Sequence, residues 1–120
     1  ILASEIKPGI STLRLDEIAE THIRDLGAEP GFLGLYEFPN TLCMSPNAQV
    51  VHGIPNNEPL KEGDIISIDC GAIKNGFYGD HAYTLLLVKL ILKLKNCLKY
   101  QRLLFSRELK ILRKEIELVI

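Results

Sequence analysis

Apolar residues recur at helical spacing early in the chain and in strand-like runs later, and this change of period separates two kinds of element. Leu15, Ile18, Ala19, Ile23 and Leu26 repeat every three or four positions, with His22 on the same face. That spacing predicts an amphipathic helix, capped by a side-chain oxygen from Ser11 or Thr12 and stopped at Gly27. Upstream, Ile1 to Ile6 reads as the end of another helix, closed by the Pro8-Gly9 pair.

Beyond the Pro30-Gly31 turn, short apolar runs at Phe32 to Phe38, Leu42 to Met44 and Val50 to Val51 are separated by Asn, Pro and Gly, and predict short strands and loops. The strongest strand signal is Asp64 to Ile73, followed by Lys74-Asn75-Gly76 and then by Phe77 to Thr84. Asn-Gly favours a type I′ turn, so the two runs predict an antiparallel hairpin. A helix with an antiparallel sheet makes the fold class α+β.

With Asn75 and Gly76 as the turn, Lys74 pairs with Phe77, Gly71 with Asp80 and Asp69 with Ala82. Alternation then puts Asp69 and Asp80 diagonally on one face, about 7–8 Å apart at the backbone, while Ile66, Ile68 and Ala72 take the other. Two such carboxylates repel one another, and the hairpin places no Lys or Arg beside them. A divalent cation would resolve the conflict, and carboxylate oxygens suit Mn, Co, Fe or Zn, with His as a nitrogen ligand. The bland alternative is that Asp69 ends a strand, Asp80 belongs to a Gly-Asp turn, and both are solvated.

At 120 residues, 47% hydrophobic and 24% charged, the chain has material for one small domain. Cys43, Cys70 and Cys97 lack C-x-x-C spacing, so reduced thiols are expected rather than a disulfide framework or zinc knuckle. The chain begins at Ile1 with no signal-peptide pattern, so a fragment and a cytoplasmic address are expected. A formal net charge of −1 gives no electrostatic reason for nucleic acid as a partner. That balance hides an asymmetry. Residues 1–84 hold all nine Gly, all six Pro and a formal −7, whereas 85–120 hold no Gly, Pro or Asp and a formal +6. The compositional boundary falls near Thr84.

The stretches Lys7-Pro8-Gly9, Val50-Val51-His52-Gly53-Ile54-Pro55, Leu60-Lys61-Glu62-Gly63-Asp64-Ile65, Ser67-Ile68-Asp69 and Asn75-Gly76-Phe77-Tyr78-Gly79-Asp80 stand in that order. Together they resemble the N-terminal half of the type I methionine aminopeptidases, over about Ile1 to Thr84. The resemblance implies a partial pita-bread fold whose hairpin bears metal. It also implies two divalent metal ions (Co, Mn, Fe or Zn), with Asp69 chelating one and Asp80 bridging both. One His and two Glu would come from the second half of such a fold. By the same resemblance His52 hydrogen-bonds substrate near its scissile amide, where the bland reading is an exposed loop histidine. Phe32, Leu35, Phe38 and Cys43 would line the apolar methionine pocket, where sulfur and aromatic groups pack well against a thioether. Without the resemblance these four are ordinary core. The sequence departs from the family pattern at Leu35, where an aromatic is common, and at Glu37, where Gly is usual. His81 follows Asp80 onto the opposite face and is not counted as a ligand.

The function implied is removal of the initiator methionine from nascent proteins. Its substrate would be a nascent peptide N-terminus, met beside the ribosome, by a monomer with no membrane contact. Two carboxylates are too few for two metals, so this chain alone is expected to be inactive. The competing reading is a non-catalytic module of the same fold that binds partners through its surface or basic tail.

Residues 85–120 show none of the Gly- and Glu-rich continuation that the resemblance calls for. Synonymous codons chosen for Lys114 to Ile120 and read one base earlier spell Gly-Asn-Arg-Ile-Gly-Asp, and the same offset from Val88 permits Gly-Glu-Ile-Asp-Pro-Glu. A shifted reading frame after Thr84 is therefore one expectation for the tail. The other is a basic amphipathic segment, although Leu85 to Val88 is solidly apolar and Lys89, Lys93, Lys95 and Lys99 define no clean polar face.

Overall fold

The computed structural model describes residues 1–87. In chain order these form α1 (Leu2–Glu5), α2 (Thr12–Asp25), β1 (Glu29–Pro30), β2 (Leu42–Pro46), β3 (Ile65–Lys74) and β4 (Phe77–Leu86). Helix α2 starts where the polar residues allow it: the Ser11 hydroxyl accepts the Arg14 N–H at 3.2 Å. It stops at Gly27, which takes φ +68°, a left-handed conformation open to a residue without a Cβ.

All strand pairs are antiparallel. β3 is the centre: β4 runs along its whole length on one edge, and β2 and β1 share the other. The β3–β4 register pairs Lys74 with Phe77, Gly71 with Asp80 and Asp69 with Ala82, as the Asn-Gly turn predicts. Asn75 at φ +53° and Gly76 at φ +81° supply the two left-handed residues that a type I′ turn requires.

Helix α2 lies on one face of this sheet. Its Leu15 and Ala19 join Leu42 and Met44 of β2, Ile66 and Ile68 of β3, Leu60 and Leu87 in one buried cluster. Each fully buried Leu or Ile there contributes roughly 1.5–3 kcal/mol over an exposed one. The carboxylate of Asp16, buried in α2, accepts the Leu42 N–H at 2.7 Å, the Thr41 N–H at 3.4 Å and the Asn40 side-chain amide at 2.9 Å. It fastens the start of β2 to the helix. Leu87 donates its N–H to the Asp64 carbonyl at 2.8 Å and accepts that of Gly63 at 2.7 Å, which ties the end of β4 to the turn before β3.

Two of the strands expected from apolar runs are not strands. Phe32 to Phe38 folds into a tight turn with a 3-10 segment at Leu35–Glu37, because Gly34, Tyr36 and Glu37 all adopt positive φ that no strand accommodates. Val50 and Val51 lie exposed in a loop, 84% and 63% accessible, and have no partner strand among the described residues. Residues 88–120, the greater part of the Leu- and Lys-rich tail, lie outside the described residues.

Candidate metal centre

The helix covers only one face of the sheet, and alternation turns the next residues to the other. Ser67, Asp69 and Gly71 of β3 face away from Ile66 and Ile68, and cross-strand pairing puts Cys43 and Ala82 beside Asp69, and Asp80 beside Gly71. Asp69 and Asp80 therefore sit on neighbouring rows of one face.

Their electrostatics show how close they are. Burial, then the charge of Asp80 and a hydrogen-bonding contact with its carboxyl, raise the Asp69 carboxyl above the ordinary carboxylate range. The nearby His52 and the Cys70 backbone N–H act in the opposite sense. Burial first, and then Asp69, Asp16 and Asp80, push the Cys43 thiol up, so it stays a protonated packing group rather than a thiolate. Cys70 is raised by burial, Asp69 and Asp80 as well.

The other predicted residues are placed less uniformly. Gly71 is buried because the Phe32 ring lies against its Cα, where any Cβ would strike the ring. Gly31 N–H donates to the Gly71 carbonyl at 2.8 Å and holds that ring at the edge of the carboxylate face. Leu35 and Phe38 belong to the same turn as Phe32, through Leu35 N–H to Phe32 O at 3.0 Å and Phe38 N–H to Leu35 O at 2.9 Å. Phe38 is half-buried, whereas Leu35 is 51% exposed. His52 is exposed at φ +57° on the loop after β2. His81 pairs with Cys70, off the carboxylate face, and stacks on Tyr83 at 6.3 Å.

Among the described residues no group of three or more His, Cys, Asp or Glu side chains is arranged to hold a metal ion. Sequence reasoning did not find Asp16 as the acceptor that fastens the start of β2, or Ser45 as the acceptor of the Gly53 N–H. Asp16 falls on the apolar face of α2 beside Leu15 and Ala19, and a carboxylate there is a signal that could have marked a buried acceptor. Ser45 carries no such signal, since a serine on an alternating strand reads as an ordinary polar position.

A helix-backed antiparallel sheet with a carboxylate pair on its open face defines the class. The chain belongs to metallopeptidase family M24, whose profile matches residues 1–119. Within that family the similar chains are methionine aminopeptidases. The Clostridium perfringens enzyme is 54% identical over 84 residues, 70% of this chain and 34% of its own length. That of Helicobacter pylori is 52% identical over 85 residues, 71% of this chain and 34% of its own. The crystal structure of methionine aminopeptidase from Thermotoga maritima aligns with a TM-score of 0.81 at 30% identity, over 88% of this chain and 45% of that one. The Rickettsia prowazekii structure aligns at 0.77 and 36% identity, over 79% and 38%. The described fold is thus a partial pita-bread fold, and the chain spans about a third of the length of the curated relatives it matches.

Proposed function

We propose that this chain supplies the Asp69 and Asp80 arm of a dinuclear metal site, and that the complete protein removes the initiator methionine from nascent peptides. The observation that supports it most is the convergence of Asp69 and Asp80 on one face, where burial and then the charge of Asp80 disfavour the Asp69 carboxylate. A carboxylate pair in that state fits a cation, and Asp69 and Asp80 would be the residues on this side that hold the metals. When bound, the metals, Co, Mn, Fe or Zn, would activate water and polarise the scissile carbonyl.

The chain's own residues would do the remaining work on this side. His52, exposed and close enough to act on Asp69, would donate a hydrogen bond to the substrate near its scissile amide. Phe32 over Gly71, with Leu35, Phe38 and Cys43, would form the apolar wall for the methionine side chain. The substrate would be a nascent N-terminus met in the cytoplasm beside the ribosome, by a monomer. The reading as a non-catalytic binding module leaves the paired carboxylates unexplained. Manganese titration followed by electron paramagnetic resonance tests the proposal: uptake by the wild-type chain that disappears in Asp69→Asn supports it, and identical spectra for the two refute it.

For the tail we propose the shifted-frame reading, with the aminopeptidase part running on through Leu87, which packs in the buried cluster, and the shift falling beyond it rather than at Thr84. Resequencing the source DNA across the codons for Tyr83 to Lys89 decides it, a single-base error followed by an open frame rich in Gly and Glu being the expected result. A confirmed sequence would make the tail genuine.

A further inference from the structure

We propose that Ser45 is a positioning residue for His52, acting through the backbone of Gly53. This inference rests on the reading of His52 as the substrate-facing group. Ser45 stands on the carboxylate face of the sheet in a row with Ser67 and Thr84. The last two hydroxyls bond each other at 3.0 Å. Ser45, 4% exposed, instead accepts the Gly53 N–H at 3.0 Å, while the Gly53 carbonyl accepts the Met44 N–H at 2.8 Å.

Both backbone polar groups of Gly53 are thereby bound to successive residues of β2. The fit leaves no room for a side chain, because a Cβ on Gly53 would run into the Met44 carbonyl oxygen. His52 is the next residue back, and its φ of +57° is a left-handed conformation that few non-glycine residues adopt. The clamp on Gly53 is what imposes it. It fixes the backbone on one side of His52 and leaves the imidazole exposed. Ser45 suits this task because its short side chain delivers an acceptor at the sheet surface, where Ala would leave the buried Gly53 N–H unpaired.

The test uses the full chain, isotopically labelled and free of metal. In the wild type the Gly53 amide should exchange with solvent as slowly as the neighbouring amides of β2, and the amide-to-Hα coupling of His52 should report a left-handed residue. Ser45→Ala should lose the His52 signature and the Gly53 protection while the amide shifts of β3 and β4 stay in place. Ser45→Thr, which keeps the hydroxyl, should restore both, and Ser67→Ala should change neither. Rapid Gly53 exchange in the wild type, or an unchanged His52 coupling in Ser45→Ala, would overturn the proposal. Manganese uptake is measured on the same samples. A chain that binds no metal yet shows the Ser45 effect therefore counts against the metal reading alone.

Discussion

Asp69 is shaped by opposing demands. Its raised carboxyl pKa means that the folded chain holds this proton more tightly than the unfolded chain, whose value lies near about 3.9. The resulting stability is fully present below that unfolded value and is lost as pH rises through the raised folded one. Asp64 works in the other direction. The Lys61 backbone N–H at 2.7 Å and the Asn47 amide at 3.0 Å hold its carboxyl low, so its contribution is present above the unfolded value and lost as pH falls through the folded one. Asp80→Asn should therefore raise the melting temperature of the metal-free chain at pH 7, by the equivalent of roughly 0.2–1 kcal/mol for one like-charge pair on a sheet. It should also flatten the decline in stability as pH rises from the unfolded carboxylate value through the raised folded one. Thermal melts across that range check it, and a variant less stable than wild type at pH 7 would show that no repulsion was relieved. Both aspartates were legible in the sequence, because a two-residue turn fixes register and register fixes faces. The approach of His52 to them was not, since it depends on how a loop crosses β2.

Elements with a strict period were legible and irregular ones were not. Helix α2 and the β3–β4 hairpin follow from spacing, a cap and an Asn-Gly turn. The segment from Phe32 to Phe38 misled because its apolar content suits a strand, while its backbone reverses through Gly34, Tyr36 and Glu37. Glu37 stands at φ +64°, at the position where the family pattern has Gly. Glu37→Gly should accordingly stabilise the chain by up to about 1 kcal/mol, as relief of a left-handed non-glycine residue outweighs the added freedom of the unfolded chain. Urea denaturation reads this, and a loss of stability would mean that Glu37 makes a contact that offsets its strain. The junction of α2 and β2 should respond more strongly. Asp16→Ala leaves the Leu42 N–H buried without its acceptor and should cost about 1.5–3 kcal/mol in the same experiment, with Asp16→Asn retaining part of it.

At the scale of the molecule, α2 packs one face of the sheet and the other carries the Asp69 and Asp80 pair. The chain spans about a third of its curated relatives' length, and among the described residues no group of three or more His, Cys, Asp or Glu side chains is arranged to hold a metal ion. The chain by itself should show no turnover of a Met-Ala-Ser peptide with Mn or Co, as liquid chromatography of the products would report. Fold class could be read from the sequence because α2 and the hairpin together dictate a helix on an antiparallel sheet, whereas the tail has no period from which to derive a structure. The carboxylate pair is the centre of the account, and calorimetric titration of manganese into the wild-type chain and into Asp80→Asn tests it most directly. The account predicts weak binding of one ion per chain that is abolished in the variant. Equal binding by both proteins would contradict it.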